Sequence, residues 1–292
     1  MRLTPWRALA LILALLFPAG TAWADLSALP LPLPETETLR YEITWKSIYV
    51  GYATLETHEI PALATRLAPP SLNAAASAPD HAAQGAWASQ RDAPPVRRFL
   101  MTVRTNPFVD MFFTVRNRIE SETDAAMNAS RYYRKTVREG GTRRDFEVFY
   151  ESGARVARFL PHTDTLFPDA APGRTRILPD TFDPLAVFYA LRTRPFPANG
   201  ALQAPVSDGR RFDYVLAVDR GAASVATAAG TFACREVEVR MQGIDGILRT
   251  SGPHSFTIWI TDTPRRLPVA VESTAHIGPF SGVLRVALKA LP

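Results

Sequence analysis

The chain has 292 residues, of which 47% are hydrophobic, and this is enough to build a sizeable core. Its single cysteine, Cys234, excludes an intramolecular disulfide, so the core must hold the fold together. The formal net charge of +5 is mild, and the arginine doublets are scattered rather than clustered on one stripe, which disfavours a nucleic-acid-binding protein.

The N-terminus predicts a signal peptide over residues 1–24. Arg2 and Arg7 precede the apolar run Ala8–Phe17, which is shorter than the roughly 20 residues that a membrane span needs. Ala22-Trp23-Ala24 places small residues at positions −3 and −1 of a signal-peptidase site, so we expect cleavage after Ala24. An uncleaved anchor is the alternative. The mature chain is expected in the periplasm and without a transmembrane segment.

Two stretches interrupt an otherwise strand-like pattern. Residues 25–38 are Pro-rich and predict an extended N-terminal arm. Residues 61–95 are dominated by Ala and Pro with almost no β-branched residues, a composition that predicts a disordered insertion between two strands. A short Ala-rich helix is the alternative there. We therefore expect residues 39–292 to form a single β-rich domain, starting with the alternating strand Tyr41–Lys46.

One short helix is predicted at about residues 184–192. Leu185–Leu191 is apolar throughout, and Asp183 followed by Pro184 is typical of an N-cap with proline at the first helical position. Arg192 suits the negative end of the helix dipole. A helix without a polar face should be buried on most sides, so we expect it to plug the interior of the sheet.

Ten or more strands with this one helix predict a mainly β fold. A single antiparallel sheet of that length would expose two edges. We therefore expect the strands to be closed into a barrel-like or spiral β-roll around the short buried helix.

The sequence offers no recognisable catalytic or metal-binding motif. It lacks a Gly-x-Ser-x-Gly elbow, a phosphate-binding glycine loop and a His-Glu-x-x-His pair, and its five histidines have no metal-ligand spacing. No catalytic residue, metal or cofactor is predicted. Asp180 has no evident structural reason, and it is the best candidate under the alternative that the protein is a hydrolase or lyase acting on envelope polysaccharide.

Six residues are candidates for ligand binding. The doublets Arg210-Arg211 and Arg265-Arg266 follow turn signals and could meet a phosphate or a lipid head group. Their alternative role is charge that protects strand edges. If the helix were a lid rather than a plug, Phe188 and Tyr189 would contact the ligand.

Five stretches occur in this order along the chain: YEITWKSIYVGYATLE, DPLAVFYALRT, DGRRFDYVLAV, GTFACREVEV and WITDTPRRLPVAVES. Together they resemble the DUF3108 family of exported bacterial proteins. The resemblance covers roughly residues 39–290, apart from the insertion at 61–95. It implies a β-rich, barrel- or roll-like periplasmic domain and implies no reaction.

These observations favour a non-enzymatic protein of the cell envelope that binds or carries an apolar, lipid or glycan ligand. The alternative is an envelope assembly or interaction factor that contacts a protein partner through the arm and the insertion. Neither hypothesis fixes an oligomeric state.

Overall fold

A computed structural model describes residues 33–60, 95–162, 171–197, 200–241, 243–244, 255–277 and 280–290. The predicted signal peptide and cleavage site, the first part of the predicted arm and nearly all of the predicted insertion lie outside these residues. The described residues all belong to the unit Leu31–Pro292.

Fourteen strands and two short helices make up the described fold. The strands are β1 Thr36–Trp45, β2 Ile48–Ile60, β3 Val96–Thr105, β4 Arg116–Asp124, β5 Ser130–Glu139, β6 Thr142–Glu151, β7 Val156–Pro161, β8 Gly173–Arg176, β9 Ala201–Ser207, β10 Phe212–Thr227, β11 Gly230–Met241, β12 Ser255–Thr261, β13 Pro268–Ile277 and β14 Phe280–Ala290. The helices are α1 Pro107–Asp110 and α2 Ala186–Thr193. The predicted mainly β, antiparallel fold is confirmed.

All fourteen strands belong to one antiparallel sheet, in the order β8-β7-β6-β5-β4-β3-β2-β1-β14-β13-β12-β11-β10-β9. Sequential hairpins build both arms of the sheet, and the first and last strands pair with each other in its middle, with Tyr41 opposite Leu288. Strand β1 shows the alternation of a half-buried strand, because Leu39, Tyr41 and Ile43 are buried while their neighbours are not.

The backbone ladder is not closed into a barrel, which corrects that part of the prediction. Within the described ranges the sheet order ends at β8 and β9, and these two strands do not pair. The chain between β8 and α2 lies in the gap instead: Phe182 forms a parallel bridge to Val206 of β9, and the Thr181 carbonyl accepts a hydrogen bond from the Ser130 amide at 3.0 Å. Strand β8 has only four residues and does not pair with β9. The connection between β8 and α2 therefore covers the edge of β9 in place of a strand.

Helix α2 confirms the predicted helix, although its assigned start is Ala186 rather than residue 184. Every residue from Leu185 to Arg192 is buried. The Tyr189 ring stacks on Phe99 of β3 with ring centroids 4.0 Å apart. The helix is therefore packed as a plug at this point of the sheet. No helix in the described part of the chain is long and apolar enough to cross a membrane.

Candidate functional site

The N-terminal end of α2 is fixed by the side chain of Asp183. Its Oδ1 accepts hydrogen bonds from the amides of Leu185 and Ala186 at 2.8 and 2.9 Å, as the predicted cap requires. Its Oδ2 accepts hydrogen bonds from the hydroxyls of Ser121 on β4 and Ser130 on β5, at 2.6 and 2.5 Å. Burial raises the pKa of Asp183, although these hydrogen bonds act in the opposite direction. The carboxylate therefore has a complete structural role.

The C-terminal end of α2 carries a buried ion pair that the sequence did not reveal. Arg192 donates to both carboxylate oxygens of Glu37 on β1, at 2.7 and 3.2 Å, and the two side chains are 0% and 1% exposed. Its Nε donates to the Arg266 carbonyl at 3.1 Å. The predicted partner of Arg192 was the helix dipole, whereas the structure gives it a carboxylate that lies far away in the sequence.

The doublet Arg265-Arg266 lies against this same end of the helix. Arg266 donates to the Leu191 carbonyl at 3.2 Å and so caps the last turn, while the half-exposed Arg265 approaches Glu37 at 3.5 Å. Tyr41 lies close by and donates to the Pro268 carbonyl at 2.8 Å.

The doublet Arg210-Arg211 lies elsewhere, in the loop that follows β9. Both backbone amides donate to Asp208 Oδ1, and the Arg210 guanidinium lies 5.4 Å from the centre of the Phe159 ring. Both side chains are exposed. The loop is near the N-terminal end of α2, since the Ser207 amide, at the end of β9, donates to the Phe182 carbonyl at 2.9 Å.

The last two predicted residues, Phe188 and Tyr189, are buried in the interior. Burial raises the pKa of Tyr189 to about 12, and the nearby Thr57 hydroxyl offsets only part of this effect. The hydroxyls of Tyr189 and Thr57 are buried, and neither has a hydrogen bond of normal geometry. The structure thus divides the six candidates: one doublet at each end of α2 and two aromatic rings in the packed interior. Asp180 is exposed, near Arg194.

A different surface concentrates exposed apolar side chains, and we call it the aromatic rim. Phe112, Met111 and Phe108 are 77%, 67% and 65% exposed, and the rings of Phe108 and Phe112 meet edge to face at 5.8 Å. The aromatic rim comprises the large apolar side chains that are exposed in the first part of β2 and in the β3–β4 connection: Ile48, Tyr49, Tyr52, Phe108, Met111, Phe112 and Phe113.

Specific hydrogen bonds hold the aromatic rim in place. Asn106 caps α1 by accepting from the Val109 amide at 2.8 Å, and its side-chain amide donates to the Tyr49 carbonyl at 2.9 Å. Asp110 accepts from Thr105 and pairs with Arg116, each at 2.5 Å. These bonds lower the pKa of Asp110. The backbone that carries the rim is therefore held by specific hydrogen bonds, and the charge of the Asp110 carboxylate is balanced by Arg116.

The sequence does not point to the rim, because Phe112–Glu122 has a strand-like pattern that predicts a strand from its first residue. In the structure, β4 begins only at Arg116. The signal was present, since Asn106-Pro107 is the same pairing of cap and first-turn proline that located α2.

Basic side chains flank the aromatic rim. Lys46 is exposed in the β1–β2 turn, Arg104 is exposed opposite Tyr52, and Arg143 is exposed and donates to the Gly140 carbonyl at 2.7 Å. A Cβ atom on Gly140 would meet the Phe113 ring at 2.8 Å, which places this turn beside the rim. Among the described residues, these three cations form no ion pair, whereas Asp110 is paired.

Comparisons with known proteins bear on the family and the fold. The family model described as "Protein of unknown function (DUF3108)" matches residues 77–285. No curated protein matches the chain. The chain is similar in structure to a β-barrel-like protein of domain of unknown function DUF1849 from Brucella abortus, at 10% identity and a TM-score of 0.50, over 88% of this chain and 96% of that one.

A second solved structure, from Parabacteroides distasonis and described as a "putative lipoprotein", matches at 11% identity. The match covers 90% of this chain and 98% of that one, with a TM-score of 0.29. The first match supports the mainly β fold described above.

Proposed function

The chain belongs to the DUF3108 family, whose function is unknown, and we propose that it is an exported, non-enzymatic protein of the cell envelope that binds an apolar, lipid-like ligand through the aromatic rim. The observation that carries this proposal is the exposure of Phe108, Met111 and Phe112 on one ordered surface. Export rests on the N-terminal sequence pattern, with Arg2 and Arg7 before an apolar run and small residues before the expected cleavage site.

Leaving these apolar side chains in water costs free energy. Burying a Phe or Met side chain is worth about 1.5–3 kcal/mol. Large contiguous apolar patches on a protein surface mark interaction sites. The rim keeps its side chains exposed even though Asn106 is hydrogen-bonded to the backbone of Tyr49 and Val109, and Asp110 accepts from Thr105 and pairs with Arg116. Ligand binding would therefore recover free energy that folding does not.

The packing of α2 favours the rim over the interior as the ligand site. Phe188 and Tyr189 contact other side chains, and Tyr189 stacks on Phe99, so a ligand there would have to displace the helix. A binding role is favoured over catalysis because the rim presents rings and a paired carboxylate. The doublets Arg210-Arg211 and Arg265-Arg266 lie outside the rim, at the two ends of α2, and stay a separate prediction for a charged head group.

Titration with the neutral apolar dye N-phenyl-1-naphthylamine tests the proposal. The double variant Phe108→Ser/Phe112→Ser should bind the dye at least about tenfold more weakly, since a tenfold change corresponds to about 1.4 kcal/mol. The control is Leu178→Ser/Tyr214→Ser, which removes two exposed apolar side chains outside the rim. Equal dye binding by the rim variant and the wild-type protein would overturn the proposal, as would an equal loss in the control.

Export has its own test. The protein expressed with its full N-terminus should be recovered from the periplasmic fraction with Asp25 as its first residue. Recovery in the cytoplasm with an intact N-terminus would contradict this part of the proposal.

A further inference from the structure

We propose that the aromatic rim docks the protein onto the surface of an anionic lipid bilayer, with the rings in the interface and the flanking cations on lipid phosphates. This inference rests on the proposed function and specifies its partner: an assembled membrane surface, rather than a single lipid molecule held in a pocket.

The topology places the rim at one end of the sheet. In an antiparallel meander, alternate connections lie at the same end, so the β1–β2, β3–β4 and β5–β6 connections are neighbours. The Asn106 amide groups bind the β1–β2 hairpin by donating to Val50 and Tyr49, and Phe113 lies against Gly140 of the β5–β6 turn. Three connections therefore form one continuous end surface.

The exposures indicate a protrusion rather than a groove. Phe108, Met111 and Phe112 lie within five residues of one another and are each about two-thirds or more exposed, whereas Tyr49 and Tyr52 are 43% and 40% exposed. Phe and Met at the tip with Tyr behind them match the layers of a membrane interface, where amphipathic rings sit at the level of the head groups.

The charges select an anionic surface. Lys46, Arg104 and Arg143 flank the rings without an ion pair among the described residues, and Asp110 is neutralised by Arg116. Each cation close to an anionic leaflet contributes about 1 kcal/mol, so three cations predict a preference for anionic over zwitterionic vesicles on the order of 100-fold.

A second copy of the chain is a less suitable occupant. A two-fold contact would place the same surface on both sides of the interface. The cations of one rim would then lie close to those of the other. The carboxylates nearby already have partners, since Asp110 pairs with Arg116, Glu42 pairs with Lys289 and Glu139 accepts a hydrogen bond from Asn117. Charge repulsion therefore opposes a dimer through this surface.

Vesicle co-flotation of the mature chain tests the inference, using phosphatidylcholine vesicles with and without 30% phosphatidylglycerol. We expect about 100-fold tighter binding to the anionic vesicles at low salt and a large loss of that preference at 500 mM NaCl. Phe108→Ser/Phe112→Ser should abolish binding to both vesicle types. Lys46→Gln/Arg104→Gln/Arg143→Gln should remove the anionic preference.

The matched control removes three exposed arginines outside the rim, as Arg40→Gln/Arg174→Gln/Arg176→Gln, and should keep the preference. An equal loss in this control would overturn the role assigned to the rim cations, because it would reflect net charge alone. If dye binding depends on the rim but the protein does not bind vesicles, bilayer docking is overturned and the proposed function stands. Loss of rim-dependent dye binding as well would overturn both. A rim-dependent dimer in sedimentation would also overturn docking.

Discussion

Removing the guanidinium of Arg192 should destabilise the protein by about 3–5 kcal/mol. Arg192→Met keeps most of the side-chain length but leaves the Glu37 carboxylate buried, with only the half-exposed Arg265 near it at 3.5 Å. Two charge-assisted hydrogen bonds are lost, each worth about 1.5–3 kcal/mol. Their sum overlaps the roughly 3–5 kcal/mol expected when one partner of a buried ion pair is removed.

A double-mutant cycle separates the ion pair from general packing. Glu37→Leu combined with Arg192→Met leaves no unpaired charge at this site, so the double variant should be at least as stable as the less stable of the two single variants. The exposed pair Arg220–Glu238 provides the control, and Arg220→Met should cost less than about 1 kcal/mol.

Urea titrations followed by far-UV circular dichroism give the free energies of unfolding. Two outcomes would refute the reasoning. One is a loss below about 1 kcal/mol for Arg192→Met. The other is a double variant whose loss equals the sum of the two single losses, since the charges would then act independently.

Four further predictions concern residues in and around α2. Phe188→Ala should cost about 3–5 kcal/mol in a urea titration because the ring is buried, and a loss under about 1 kcal/mol would make the helix peripheral. Tyr150→Phe should cost about 1–3 kcal/mol by orphaning a buried carbonyl acceptor, while Tyr189→Phe should be nearly neutral at pH 7. Because burial raises the pKa of Tyr189 to about 12, its unfolded form ionises first, and stability should fall between about pH 10 and 12 by less in Tyr189→Phe than in the wild type. Gly209→Ala should cost about 2–4 kcal/mol in thermal unfolding, since φ is +86° and the new Cβ would meet Val148 Cγ2 at 2.6 Å; an unchanged melting temperature would contradict this.

Local features of the fold could be predicted from the sequence. The alternation of apolar residues correctly predicted a strand at Tyr41–Lys46, which overlaps the second half of β1. The Asp183-Pro184 signal predicted the start of α2 to within two residues. Both depend on neighbouring residues, as periodicity and capping do. The same logic would have found α1 from Asn106-Pro107, but the apolar run after it favoured a strand.

Non-local features could not be predicted in this way. The ion pair between Glu37 and Arg192 joins distant parts of the sequence, and nothing in either local pattern specifies it. The open sheet has the same origin, since the bridge from Phe182 to Val206 depends on where the chain passes after β8. The rim likewise forms only when separate hairpins meet at one end of the sheet.

The pairing of β1 with β14 joins segments that are far apart in the sequence. Strand β1 precedes the other described strands, yet its partner on one side, β14, follows all of them, so one edge of β1 stays unpaired until β14 docks. Contacts between such distant segments slow folding, and unpaired edges recruit other chains. We therefore expect a chain truncated before Phe280 to aggregate through β1 and β13 together, because losing β14 separates the sheet at its middle instead of trimming its edge.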